Sequence, residues 1–175
     1  MFEPSLHWVQ GIEPYRLALM PRPRGGEWLQ DEILAMQRAG VQSIVSLLEA
    51  EEARELELTG QAAACSRAGI DFRSFPIPDR GTPHSAQRAS ELIVDLHAQL
   101  LQGKALAVHC RAGIGRTGLV AGCLLHLIGV PYGDIFHRLS RARGIAMPDT
   151  AGQVEWVERF ARASTHRIAK WPPGS

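Results

Sequence analysis

ALAVHCRAGIGRTG, residues 105–118, is an apolar β-rich run, then His109-Cys110, then a loop carrying Gly113, Gly115 and Gly118. The stretch that follows, LVAGCLLHLIGV (119–130), reads as a buried helix; it is too short to span a bilayer and holds His126 and two glycines. A strand feeding a glycine-rich turn at a helix N-terminus makes an anion site. The backbone N–H groups of the turn converge, and the helix dipole adds positive potential.

Which anion chemistry this is depends on the side chains. GIGRTG (113–118) matches the dinucleotide fingerprint G-x-G-x-x-G, and Asp134 lies close to the expected twenty residues downstream. That acid should end the second strand of a βαβ unit, whereas Asp134 follows GVPYG and begins a helical stretch. A nucleotide-binding P-loop needs a lysine after its last glycine, and none is present. Both readings are set aside.

Cys110 and Arg116 bracket five residues, C-x5-R, with Thr117 next. A cysteine at the mouth of an amide nest has its thiolate favoured, and the thiolate is the nucleophile. A phosphate held by the amides of Arg111, Ala112, Gly113, Ile114, Gly115 and Arg116 lies in front of it. The Arg116 guanidinium can fork two N–H bonds onto equatorial phosphate oxygens and follow their charge into the transition state, a planar grip lysine lacks. Gly113 and Gly115 are expected at φ values a side chain resists. Thr117 can donate its hydroxyl to the sulfur, and His109 is expected to orient the loop rather than act as a base. Without Arg116 at this spacing, Cys110 would read as an ordinary buried thiol. Cys65 and Cys123 do read that way.

Working outward, one local grammar repeats three times: amphipathic helix, glycine, β-rich run. The first helix has Leu29, Ile33 and Met36 on one face and stops at Gly40 before VQSIVSLL (41–48). The second runs through EEARELELTGQAAACSRA, weakened at Gly60, to Gly69 before IDFRSF (70–75). The third takes Thr82 as N-cap and Pro83 as first helical residue, and ends at Gly103 before ALAVH (105–109). YRLALM (15–20) reads as an edge strand, with another near 6–9. Helices follow over 117–129, 132–142 and 151–163, and STHRIAKWPPGS (164–175) reads as a frayed tail. The fold expected is α/β: a largely parallel sheet of about five strands, helices on both faces, in one domain whose core is 15–163. The acidic run EAEEARELE (49–57) reads as a solvated face complementing a helix dipole.

The chain has 175 residues, 45 % hydrophobic and 21 % charged, enough for a core without disulfide or metal staples. Net charge is +1, so nothing global calls for nucleic acid or membrane. Three scattered cysteines form neither a disulfide framework nor a zinc site and suit a reducing compartment. The N-terminus lacks the basic-then-apolar pattern of a signal peptide, and a cytoplasmic location is expected.

HCRAGIGRTG resembles the signature loop of the cysteine-dependent protein tyrosine phosphatase superfamily, and the small size looks like its dual-specificity branch. GVQSIVSLLEAEE followed by IDFRSFPIPDRGTP is similar to the corresponding region of kinase-associated phosphatases. The loop also resembles mitotic-exit and small atypical dual-specificity enzymes. The likeness covers about 15–160.

It implies a phosphocysteine intermediate and an aspartate general acid, about thirty residues before the cysteine, in a proline-bounded turn; PIPDRGTP supplies Asp79. It implies for Gln153 a part in positioning the attacking water, although RARGIAMPDT departs from the family's usual R-P-G run. No metal and no cofactor are implied.

The partner implied is a phosphorylated protein or peptide, carrying phosphotyrosine, phosphoserine or phosphothreonine, acted on by a monomer. The same chemistry on a phosphoinositide or RNA 5′ end is the alternative. Against the first, lysines at both variable loop positions are replaced by Arg111 and Ile114. Arg80, Arg111, Arg141 and Arg143 are candidates for a basic rim. Thiol-based arsenate reduction or sulfur transfer is the rival enzyme class. Arsenate reduction would want a resolving cysteine near Cys110, and none is evident in the sequence.

Overall fold

The computed structural model describes residues 3–168. Five strands form one sheet in the order β1 (His7–Trp8), β2 (Arg16–Met20), β5 (Ala105–His109), β3 (Ser43–Ser46), β4 (Asp71–Ser74). Only β1 and β2 are antiparallel; the other pairings are parallel, with Met20 and Ser46 both level with His109. The sheet is therefore largely parallel, as the helix–glycine–strand grammar predicts.

YRLALM is not an edge strand. β2 lies between β1 and β5, and Leu17 to Met20 are buried. The edges are β1 and β4, the latter carrying exposed Asp71 and Arg73. Tyr15 and Arg16 gave the run a polar start, but its last four residues are the continuous apolar kind that a covered strand needs.

Successive strand residues point to opposite faces, which divides the core in two. One face sends Leu17, Leu19, Val45, Leu47, Leu106 and Val108 into the larger cluster, under α4 (Ala86–Leu101), α5 (Gly115–Leu127), α6 (Tyr132–Arg143) and α7 (Ala151–Ile168). The other sends Ala18, Met20, Ile44 and Ala107 under α1 (Leu29–Arg38) and α3 (Gln61–Arg67), where Leu29, Ile33, Met36 and Cys65 pack. α5 is buried over most of its circumference, as its apolar sequence requires.

Three helix boundaries differ from expectation. The second helix is two, α2 (Ala50–Glu55) and α3, separated at Glu57, which itself takes a left-handed φ of 55°. α4 starts later than Thr82-Pro83: Ser85 is the N-cap, its hydroxyl accepting from the Arg88 N–H at 3.2 Å. Serine supplies the oxygen one turn from an orphan amide, a stronger signal than proline alone. The expected tail at 164 is helical as far as Ile168, and 169–175 lies outside the described residues. Among the described residues no helix is long and apolar enough to cross a membrane.

Candidate active site

The loop leaves the middle strand, β5, at the carboxyl edge of the sheet, where open parallel sheets bind ligands. Cys110 follows β5 directly and Gly115 opens α5, so four residues make the whole turn. Gly113 has φ +70°, and a Cβ there would lie 2.3 Å from the Met20 carbonyl oxygen and 2.7 Å from Pro21 nitrogen. Glycine is required twice over, for conformation and for the approach of the β2 exit, whose Arg22 N–H donates to the Arg111 carbonyl at 3.1 Å. Gly115 is different. Its φ is not left-handed; it is small because the Gln153 amide stands 2.9 Å from where a Cβ would be.

Cys110 is 3 % exposed, and the Thr117 hydroxyl donates to its sulfur at 3.2 Å. His109 is fully buried. Its Nδ1 is 3.3 Å from the Cys110 carbonyl, and its Nε2 is 2.9 Å from the Gln61 amide nitrogen. A neutral ring satisfies both, with Nδ1–H donating and Nε2 accepting. Burial pushes its pKa down to about 4, the Arg116 charge acting in the same direction and the Cys110 carbonyl against it. A ring held neutral and bonded on both nitrogens orients the chain before Cys110.

Arg116 is 2 % exposed, and both of its terminal nitrogens are engaged. Its Nη1 donates to Glu52 Oε2 at 2.6 Å and to the Ile77 carbonyl at 3.0 Å; its Nη2 donates to Glu52 Oε1 at 2.9 Å and to Asp79 Oδ1 at 3.1 Å. Glu52 belongs to the acidic run expected to be solvated. It is instead the buried partner of this guanidinium, and Oε2 also accepts from the Glu49 N–H at 3.0 Å. Burial acts to raise the Glu52 pKa, but bonding to Arg116, the Glu49 amide and Arg111 outweighs it and the net direction is down. For Arg116 burial acts downward, and Glu52, with the nearby Cys110 and Asp79, turns the net direction up. The pair stays charged.

Asp79 thus comes to the cysteine loop from the β4–α4 connection, its side chain 60 % exposed and its carboxylate accepting from Arg116 Nη2. Gln153, at 0 % exposure, donates from Nε2 to the Gly81 carbonyl at 3.1 Å and accepts at Oε1 from the Asp149 and Thr150 N–H groups, both at 3.1 Å. His109, Cys110, Arg116, Thr117, Asp79 and Gln153 gather around one loop, whereas the rim candidate Arg141 instead lines a cleft with Gln10, Asp134 and Arg138. Glu52 and Gln61 were missed. The spacing Glu49-x-x-Glu52, a carboxylate able to reach back to a helix start, was the available signal for the first.

The rim is mostly paired off. Arg111 reaches Glu55 at 3.1 Å and Glu52 at 3.4 Å, Arg80 meets Asp149 at 3.3 Å, and Arg143 donates to the Ala112 carbonyl at 3.0 Å. Cys65 and Cys123 are both fully buried thiols. They lie in different core clusters, Cys123 in the one that also holds Cys110, and burial pushes the Cys65 pKa up to about 12. Among the described residues no group of acids, cysteines and histidines is arranged to hold a metal ion.

Cys110 and Arg116 thus close one turn, with Thr117 on the sulfur and Asp79 on the guanidinium. The chain belongs to the family described as "Polymorphic toxin system, DSP-PTPase phosphatase", whose model matches residues 18–129, and so to the dual-specificity branch. It is 28 % identical over 163 residues to protein tyrosine phosphatase domain-containing protein 1 of Bos taurus, covering 77 % of this chain but 20 % of that protein. It is 28 % identical over 134 residues to cyclin-dependent kinase inhibitor 3 of Rattus norvegicus, covering 75 % of this chain and 63 % of that one. The chain therefore spans a fifth to under two thirds of these relatives. In structure it is similar to kinase associated phosphatase, solved with its catalytic-site cysteine replaced by serine: TM-score 0.80, 20 % identity, 98 % of this chain and 99 % of that one.

Proposed function

We propose that this chain hydrolyses phosphomonoesters on phosphorylated proteins or peptides through a phosphocysteine intermediate, with residues 15–163 as its catalytic domain. The Cys110 sulfur attacks phosphorus as the ester P–O bond breaks, and Asp79 gives its proton to the departing oxygen. The amides of Arg111 to Arg116 and the Arg116 guanidinium hold the three equatorial oxygens. Asp79 then takes a proton from the attacking water, the P–S bond breaks, and Thr117 donates to the sulfur that leaves. Inorganic phosphate and the free thiol are regenerated.

One observation carries this reading: the Thr117 hydroxyl rests on the Cys110 sulfur at 3.2 Å while Arg116, at the far end of the same turn, holds Asp79 at 3.1 Å. The proposed nucleophile and clamp are two ends of one turn, and the clamp carries the proposed acid, which supports the reading.

The paired rim favours a substrate presenting one phosphate among ordinary side chains over a polyphosphorylated lipid headgroup or RNA end. Three of its four arginines are already engaged by carboxylates or a carbonyl. Three free cysteines agree with a reducing cytoplasm, and action as a monomer is part of the same proposal. Cys110→Ser should abolish hydrolysis of an aryl phosphate with the circular dichroism spectrum unchanged; retained turnover refutes the assignment. A phosphopeptide, phosphoinositide and RNA-end panel on the active enzyme then tests the substrate class.

A further inference from the structure

The geometry points to Gln153 and Asp149 as positioning residues that hold the acid-bearing turn against the cysteine loop, an inference resting on Asp79 being the general acid. The Gly81 N–H donates to the Pro78 carbonyl at 2.9 Å, closing a tight turn with Asp79 and Arg80 at its centre. Arg80 sits at φ +57°, a left-handed conformation costly for any side chain with a Cβ. Such a residue persists where its surroundings over-determine it. Here the surroundings are the start of α7. Asp149 pairs with the Arg80 guanidinium at 3.3 Å, and the Gln153 amide donates to the Gly81 carbonyl at 3.1 Å.

Gln153 is not free to serve a water molecule with its oxygen. Oε1 has two lone pairs, and the Asp149 and Thr150 N–H groups take both. Those two bonds fasten the side chain to its own helix start, where the Gln153 backbone N–H also donates to Thr150 Oγ1 at 3.3 Å. The same two residues also touch the cysteine loop: a Cβ on Gly115 would meet the Gln153 amide at 2.9 Å and Asp149 Cβ at 3.0 Å. Loop and turn are therefore spaced by one shared pair of side chains. The Arg80–Asp149 pair is 68 % and 36 % exposed and contributes little by itself; the buried amide is the anchor.

Loosening this clasp should cost proton donation and leave attack by sulfur alone. A general acid contributes about 10²–10⁴-fold, and only where the leaving group needs the proton. The experiment measures kcat/KM over aryl and alkyl phosphates of graded leaving-group basicity for Gln153→Leu, Asp149→Ala, Asp149→Glu and Asp79→Asn, and for the first two in the Asp79→Asn background, with thermal midpoints recorded. Gln153→Leu should lose about tenfold or more on poor leaving groups and under about twofold on good ones. Asp149→Ala should show the same slope more weakly, and Asp149→Glu should recover it. Neither change should add to Asp79→Asn.

Equal losses across the series, or losses additive with Asp79→Asn, overturn the clasp. Should Gln153→Leu prove unstable, the surface variant Asp149→Ala decides. If Asp79→Asn itself shows no leaving-group dependence, the general-acid reading is at fault and the clasp falls with it. If only Asp79→Asn shows that dependence, the acid stands and the clasp alone fails.

Discussion

Glu52 grips Arg116 with both carboxylate oxygens, at 2.6 and 2.9 Å, across 64 residues of sequence. The bidentate geometry leaves the guanidinium plane no freedom to rotate, so the edge that faces the nest is set before any phosphate arrives. Pre-orientation of this kind removes the cost of ordering a long side chain during binding. Removing one partner of a buried pair strands the other charge. Glu52→Ala should therefore lower stability by about 3 kcal/mol or more and weaken inhibition by vanadate, read from denaturant midpoints and inhibition constants. Glu52→Gln, which keeps one acceptor, should fall between wild type and alanine in both.

Gly113 is the position where the loop has no slack. A methyl group would sit 2.3 Å from a backbone oxygen, and no flexible side chain is there to yield. Gly113→Ala should displace the turn from the β2 exit and cost at least about tenfold in kcat/KM, since misplacing a reacting group by about 1 Å can cost 10²-fold. Steady-state kinetics on an aryl phosphate check this. Gly103→Ala is the control. Its glycine is also left-handed, with nothing within 4 Å of the added Cβ, so it should affect stability without touching kcat/KM.

Thr117 makes one bond to the sulfur, and in the proposed reaction that bond matters when the sulfur leaves phosphorus. Thr117→Ala should slow breakdown of the phosphocysteine more than its formation. The measurable result is a pre-steady-state burst of aryl alcohol, with kcat reduced several-fold and kcat/KM nearly unchanged, as expected for loss of about one hydrogen bond to a charged group. A proportional fall in both constants without a burst would assign Thr117 to attack instead.

His109 makes stability depend on pH in a stated window. Its folded pKa, about 4, lies below its ordinary 6.5, so between those values the unfolded chain binds a proton that the folded chain refuses. The stabilisation is complete above about pH 6.5 and is lost as pH falls toward 4, an effect of up to about 3 kcal/mol. Glu52, whose pKa is lowered from 4.5, loses its own contribution further into acid. Denaturant midpoints at pH 7 and pH 5 should differ in wild type. In a folded His109→Gln variant the difference should shrink.

Much of this molecule was legible from runs of a few residues. Helix, left-handed glycine and strand recur at Gly40, Gly69 and Gly103, all with positive φ, because each boundary is settled by local sterics within one turn of chain. The cysteine loop was legible for the same reason. Cys110, Gly113, Arg116 and Thr117 are bound together by a backbone path only eight residues long, so their spacing alone implies convergence.

Only the folded chain could decide what crosses between elements. An acidic run looks solvated until a buried guanidinium packs over one of its members, as Arg116 does over Glu52. Four rim arginines look like a cationic surface until Glu55, Asp149 and the Ala112 carbonyl engage three of them. Gln61 and Gln153 carry no local signature of burial. Sequence by itself determined the C-x5-R loop between strand and helix, whose geometry is made by adjacent peptides. Tertiary structure decided which charges are cancelled and which side chains hold the nest and the acid in register, because those energies depend on distance through space and exclusion of water.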